Sequence, residues 1–515
     1  MESYDTKYFQ EMLRGSSLIL IYIIVLNLTG IVYIVIATRI LSMFEVGALL
    51  FASVIINFFP VLFGLALHQA APKFCAEKLK LGNTKFSSEI SNLILTLGLI
   101  LFLIALPIGY FFVYIIVYPL LPIPFLQYYS FLVALDGSLN LLLFLFYGIF
   151  IGNLKIFNAV FSLSLASAAR FLSAAFIIHL GGSIFEVLKF WIIGDSLGIL
   201  SFIFFSRGIV SLRFTLNLQI IKQILNYSLP LYISLILNYT FLYIDRYQVA
   251  YNVKLENFSI YGTAMTASMI LINIPQLLSN VLVPYFSYAY VNKKEEFYFY
   301  LISISRFACL TFLPLLILIS MLAEPIIYLF AGSKYIEGWV TFFMVTLTIA
   351  ISFPIISILA FFLALGKTKI VMYSSMISLS IGVIFIQILS PQYGILGASI
   401  GRSLIFALNF IFLAIWLYYK EKIDYGIAYH IKISLISSLI FSPILIANNI
   451  LKIPYYYLSL IVILSIMVYF YILRKYRLVL LDDLKRLSLI LPDNISKRLN
   501  NFFYFLFLKK NKNKN

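Results

Sequence analysis

The chain has 515 residues, of which 63% are hydrophobic, 17% aromatic and 11% charged, with a mean hydropathy of +1.02. A water-soluble domain of this length cannot bury so much apolar surface, which excludes a soluble globular protein and makes lipid the solvent. The formal charge of +17 would suit a nucleic-acid partner, but in a membrane chain the placement of the cations relative to the spans decides their meaning, and here they read as topology.

A transmembrane helix needs about 20 apolar residues. In chain order such runs lie near 16–38, 46–67, 90–117, 128–151, 158–180, 186–206 and 227–250, and then near 260–283, 301–323, 338–365, 370–390, 394–418, 432–450 and 455–473. The sequence therefore predicts an all-α integral membrane protein of about fourteen spans. The first run is too long for a signal-peptide core and lacks a small-residue cleavage site, so it is expected to stay as a helix. With a cytoplasmic amino terminus, most of the 37 Lys and Arg fall on inward segments, among them Lys73, Lys155, Arg207, Lys293, Lys367, Lys420 and the basic tail. Outward segments hold Arg39, Lys189, Lys254, Lys334 and Lys452. This satisfies the positive-inside rule and places both termini in the cytoplasm, at the plasma (inner) membrane.

The segment FEVGALLFASVIINFFPVLFGLALHQAAPKF resembles FSIYGTAMTASMILINIPQLLSNVLVPYF, with Pro60 near Pro275 and Pro72 near Pro284, and a Lys-containing inward loop follows each copy. Six spans per copy make a parallel repeat about an axis along the membrane normal. The expected organisation is a six-helix lobe over 1–210, a second over 211–420, two additional spans over 421–473, and a basic interfacial tail over 474–515. In that tail Leu480, Leu484, Leu487 and Leu491 recur at helical spacing amid Lys and Arg, which suits the anionic inner leaflet and so membrane lipids as partners.

Several segments resemble the polysaccharide transporter (flippase) family of the multidrug/oligosaccharidyl-lipid/polysaccharide exporter superfamily. The opening GSSLILIYIIVLNLTGIVYIVIATRILSMFEVGALLF, with Arg39, Glu45 and Gly47 at the first outer turn, is similar to that family's first two helices. Ser228-Leu229-Pro230 followed by Asp245, the stretch EPIIYLFAGSKY, and YGILGASIGRS match later parts of its pattern. The resemblance implies two six-helix lobes facing a central cavity, in a MATE-like architecture, and alternating access. It also implies a polyprenyl-diphosphate-linked oligosaccharide as substrate, with polysaccharide-assembly enzymes as working partners.

Ionised side chains within spans are few, and each needs a partner, water or a function. Asp136, Arg170 and Asp195 fall at a common depth near the bilayer centre. Arg170 shares a helix face with Ser162, Ala166, Ser173 and Ala174, which allows close helix approach or a wet wall. A buried ion pair of Arg170 with Asp195 or Asp136 that only fixes packing is the structural alternative. Arg402 sits beside a Gly397-x-x-x-Gly401 packing signal, with Ser399 and Asn409 on or near its face. Asp245 and Arg246 are adjacent near the outer end of the seventh span, about 100° apart around the helix, so they need not pair; snorkelling to the interface is the plain alternative for Arg246.

A guanidinium at such depth can hold a diphosphate by bidentate hydrogen bonds, which makes Arg170, Arg246 and Arg402 the candidate substrate-binding residues. Asp136, Asp195 and Asp245 are the candidates for coupling to an H+ or Na+ gradient. His68, at the inner end of the second span, is a further group able to respond to pH. Pro60, Pro230, Pro275, Pro284, Pro314 and Pro354 mark candidate bending points. Cys75, Cys309 and three histidines give neither a disulfide framework nor a metal spacing, so no metal, cofactor or catalytic group is expected. Two rival functions are an exporter of drugs or other amphipathic solutes from the same superfamily, and a polyprenyl-lipid-dependent glycosyltransferase or polymerase. The short outward connections carry no paired carboxylates for the latter.

Overall fold

In a computed structural model of the chain, residues 2–80, 84–117, 124–207, 209–210, 217–292, 294–476 and 478 are described. All regular structure among them is helical. The first half contains α1 (Glu2–Ile40), α2 (Met43–Phe63), α3 (Leu67–Lys80), α4 (Thr84–Phe111), α5 (Pro124–Gly152), α6 (Ile156–His179), α7 (Ile184–Phe205) and α8 (Leu218–Asn252). There follow α9 (Leu255–Asn292), α10 (Lys294–Met321), α11 (Ala323–Ala331), α12 (Trp339–Ile351), α13 (Ile355–Ala364), α14 (Thr368–Lys420), α15 (Ile427–Asn449) and α16 (Tyr455–Lys475).

Twelve of these helices are long and apolar enough to cross a membrane, so fourteen is an approximate count. The difference has two sources. The 53 residues of α14 are two rods that meet at Gly394, whose φ of 57° and ψ of −132° no helix contains, and the run at 260–283 falls within α9, where part of the side chains lie outside the described set. The basic tail beyond 478 also lies outside the described residues.

Helix starts follow local chemistry. Ser42 caps α2 through a reciprocal pair, its backbone N–H donating to Glu45 Oε2 at 2.8 Å while its hydroxyl accepts from the Glu45 N–H. Ser183 and Glu186 repeat the device at α7, and Asn217 accepts from the first amides of α8. Such caps satisfy donors that lipid cannot.

Helix breaks are equally specific. The second predicted span is interrupted between α2 and α3, where Gly64 donates back to the Pro60 carbonyl and Leu65 and Ala66 take φ values of 47° and 55°. Pro60 therefore lies within α2, one turn ahead of the break. Pro354 caps α13 after a break at Ser352–Phe353, while Pro230 and Pro314 lie inside α8 and α10. A π-helical segment, Phe112–Val117, continues α4.

Contacts group the chain into two units. The first comprises Met1–Thr263 with Phe330–Lys334. In it α5 is central, packing on α2, α3, α4, α6 and α7, while α1 lies on α6. Leu93, Ile94, Phe146, Phe150 and Phe202 form part of its core, with Phe202 stacked on Phe146 at 5.6 Å. The seventh predicted span, α8, packs on α2 and α3 here, because Tyr232 donates its hydroxyl to the Leu62 carbonyl at 2.9 Å and Tyr239 donates to the Val54 carbonyl. Gly47 lets α2 approach the start of α9: a Cβ there would lie 2.6 Å from the Leu255 carbonyl oxygen.

The second unit comprises Ala264–Leu329 and Tyr335–Asn515. Here α10 is central, packing on α12, α13 and α15, while α14 lies on α12 and α13. Its core includes Leu301, Phe361, Phe362, Leu413 and Leu417. The two ends of α14 are joined by an ion pair between Lys367 and Glu421 at 2.5 Å.

Candidate functional site

Asp136 on α5, Arg170 on α6 and Asp195 on α7 form one buried ion cluster. Both terminal nitrogens of Arg170 donate to Asp136, at 3.2 and 2.8 Å, and Nη1 also donates to Asp195 Oδ2 at 2.7 Å. The helices can come this close because Gly194 faces Arg170; a Cβ on Gly194 would lie 2.4 Å from the Arg170 backbone nitrogen. Gly198 lies against Ala166 in the same way, and Ser162 meets Ser201 at 2.9 Å. The small residues that share a face with Arg170 are thus a helix-packing surface.

With both carboxyls ionised, one guanidinium would leave one net negative charge in the cluster. Trp191, one turn before Asp195, covers it with its ring 4.6 Å from the Arg170 guanidinium carbon, and Tyr33 on α1 meets the edge of Trp191. Asn140, one turn after Asp136, has a buried Oδ1 without a hydrogen-bond partner.

On α8 the two adjacent charged residues take separate environments, as their angular separation requires. Asp245 has no exposed surface and its Oδ2 accepts from the Tyr261 hydroxyl at 2.6 Å. Arg246 is 9% exposed, lies 5.0 Å over the Tyr243 ring, and has no carboxylate partner among the described residues. Its Nε is buried without a hydrogen bond. Tyr239 stacks on Tyr243 at 4.5 Å, so the cation sits at the end of an aromatic ladder along one helix face.

In the second unit Arg402 is fully buried, with its guanidinium carbon 4.5 Å over the Phe406 ring one turn ahead. The glycine signal beside it packs the two rods of α14 together: a Cβ on Gly397 would lie 2.2 Å from the Leu389 carbonyl oxygen, and one on Gly401 would lie 2.4 Å from Ile386 Cγ1. Ser399 shares a hydrogen bond with Thr341 on α12 at 2.7 Å, and Asn409 accepts from Ser374. Among the described residues no group of three or more His, Cys, Asp or Glu is arranged to hold a metal ion. His68 lies in α3 past the helix break, where its ring faces Phe144 at 6.0 Å and its carbonyl packs on Gly148.

The family model of polysaccharide biosynthesis proteins matches residues 12–290, which is more than half of the chain. The chain belongs to this polysaccharide biosynthesis protein family. Its fold is that of transporters of the MOP superfamily. The structure is similar to that of the lipid II flippase MurJ in an inward closed conformation, with a TM-score of 0.68 at 16% identity, covering 87% of this chain and 96% of that one. It is also similar to an inward-facing multidrug resistance MATE family transporter, with a TM-score of 0.65 at 16% identity, covering 76% of this chain and 93% of that one. A third similar structure is a MOP superfamily transporter from Pyrococcus furiosus, with a TM-score of 0.54 at 16% identity and coverage of 79% and 94%. No curated protein matches the sequence.

In this polysaccharide biosynthesis protein, the three residues placed at one depth from sequence do meet, Asp245 and Arg246 take different environments on α8, and Arg402 is packed within the second unit. Trp191 and Asn140 escape the sequence reading, although each lies four residues from a carboxylate of the cluster and so on its face. Tyr261 carries no such signal, since its bond to Asp245 joins two different helices.

Proposed function

We propose that this protein is a flippase that moves a polyprenyl-phosphate- or diphosphate-linked oligosaccharide from the cytoplasmic to the outer leaflet by alternating access, in surface polysaccharide or glycoprotein assembly. The observation that carries this reading is Arg246, a buried cation on a spanning helix that no carboxylate neutralises among the described residues. Fixed positive charge at that depth is costly, and the anionic headgroup of a lipid-linked sugar is a solute that needs it on the way across. Arg402, buried and ring-stacked in the second unit, is assigned the same task there. Family membership in polysaccharide biosynthesis and the likeness in fold to a lipid II flippase support the substrate class.

The cluster of Asp136, Arg170 and Asp195 is assigned to ion coupling. With one carboxyl more than its single guanidinium balances, and the open Asn140 oxygen one turn from Asp136, it can accept one H+ or Na+, and Asp245 is a second candidate. Arg170 is the residue that holds the two carboxylates together, so its guanidinium is already engaged on both sides. The repeat-derived lobes at 1–210 and 211–420, the cytoplasmic termini and a location in the plasma membrane complete the proposal. The test is to deplete the protein in its host and locate the lipid-linked oligosaccharide with a membrane-impermeant glycan probe. Accumulation on the cytoplasmic leaflet supports the flippase; unchanged distribution with normal surface glycan points to export of another solute.

A further inference from the structure

One of the two spans outside the repeat, α15, packs on α10 and touches a break in the second unit. The tenth predicted span is broken between α12 and α13. At the break the Ile355 amide donates to the Ser352 carbonyl at 2.9 Å, so it is turned away from the Ile351 carbonyl that it would meet in a continuous helix. Pro354 has no N–H to offer. In lipid a backbone acceptor released in this way needs another donor. His430 of α15 supplies it, with Nε2 2.7 Å from the Ile351 oxygen.

A carbonyl only accepts, so Nε2 carries the hydrogen. The neutral ring then presents Nδ1 as an acceptor to the Cys309 thiol of α10, which lies within hydrogen-bond distance. Phe312 of α10 stacks on Phe353, in the break itself, at 5.0 Å, and Phe410 meets the edge of the His430 ring. Three helices thus converge on one broken turn. From the other end of α12, Thr341 bonds to Ser399, one helical turn from Arg402.

We infer that His430 is a positioning residue for transport: it holds the α12–α13 break in place from the accessory helix α15, and with it the register of α12 against the Arg402 rod. The part that concerns Arg402 rests on the flippase reading above, whereas the latch itself does not, and the two are separable by experiment. When the latch opens, Cys309 loses its acceptor and becomes reachable, so thiol chemistry reports the state of the break without any transport assay.

The experiment uses the full chain in native membranes, with Cys75→Ser making Cys309 the sole cysteine, and follows alkylation by N-ethylmaleimide. The His430→Ala variant is expected to react about tenfold faster, the factor that corresponds to losing a hydrogen bond of about 1.4 kcal/mol. His430→Gln, whose carboxamide N–H replaces Nε2–H, is expected to return the rate to within about threefold of the parent and to restore transport with it. Adding Pro354→Ala to His430→Ala allows the helix to run through the break, and slows alkylation again. Equal alkylation rates for His430→Ala and its parent overturn the latch. If His430→Ala does not accumulate, Pro354→Ala is examined alone: slower alkylation than the parent supports the latch and an unchanged rate overturns it. An intact latch effect with unaffected transport in His430→Ala overturns only the link to Arg402.

Discussion

Arg170 and Arg246 lie in the same unit, both on spanning helices and both buried, and they are accommodated in opposite ways. Arg170 is clasped by Asp136 and Asp195 through three hydrogen bonds and covered by Trp191. Arg246 rests on the face of Tyr243 with no carboxylate among the described residues. A clasped guanidinium is part of the fold, because removing it leaves two carboxylates confronting each other in a low-dielectric interior. A ring-stacked one keeps its charge available while the ring carries much of its van der Waals contact. The same residue type at similar burial therefore meets two carboxylates in one place and an aromatic face in another, and only its partners distinguish the two settings.

The largest expected effect is on stability: Arg170→Ala is expected to destabilise the protein by about 3–5 kcal/mol, read as loss of folded protein in a detergent melt. Arg170→Met combined with Asp136→Asn and Asp195→Asn is expected to recover most of that loss, since the stranded charges go with it. Arg246→Ala breaks the comparison from the other side, being expected to melt close to wild type while transport is lost. Arg402→Ala is expected to behave likewise, abolishing transport with insertion intact; normal transport by a properly expressed variant would remove Arg402 from the site. Gly194→Val places a side chain where a Cβ already lies 2.4 Å from the Arg170 backbone, and is expected to cost about 1–3 kcal/mol by forcing α6 and α7 apart. The smallest effect belongs to Ser42→Ala, about 1 kcal/mol for a lost cap, measured in the same melt and with transport unchanged.

Much of the fold is legible in the sequence because lipid imposes one rule, that apolar runs of spanning length become helices. The breaks are less legible. Pro354 marks its break at the correct place, whereas Pro60 stands a turn away from the kink at Leu65 and Ala66, where neither residue type announces a positive φ. The Gly394 joint inside α14 is legible, falling at the boundary between the predicted spans at 370–390 and 394–418, where Ser390, Pro391 and Gln392 interrupt the apolar run. Asp136, Arg170 and Asp195 could be grouped by depth alone, since residues at equal height on neighbouring spans have few places to go. Partners on a single helix, such as Tyr243 for Arg246 and Phe406 for Arg402, follow from helical spacing. Those that join distant helices, such as Tyr261 with Asp245 or His430 with Ile351, depend on how the bundle is arranged and leave no mark in the local pattern.

The most direct measurement of the central claim is transbilayer movement of a polyprenyl-diphosphate-linked oligosaccharide in liposomes that contain the purified protein, followed with an impermeant lectin. The flippase reading predicts movement with the wild-type protein, its loss in Arg246→Ala and in Arg402→Ala, and its retention in Ser42→Ala. No movement by wild-type protein that is folded and correctly inserted, under an imposed H+ or Na+ gradient of either sign, would contradict it.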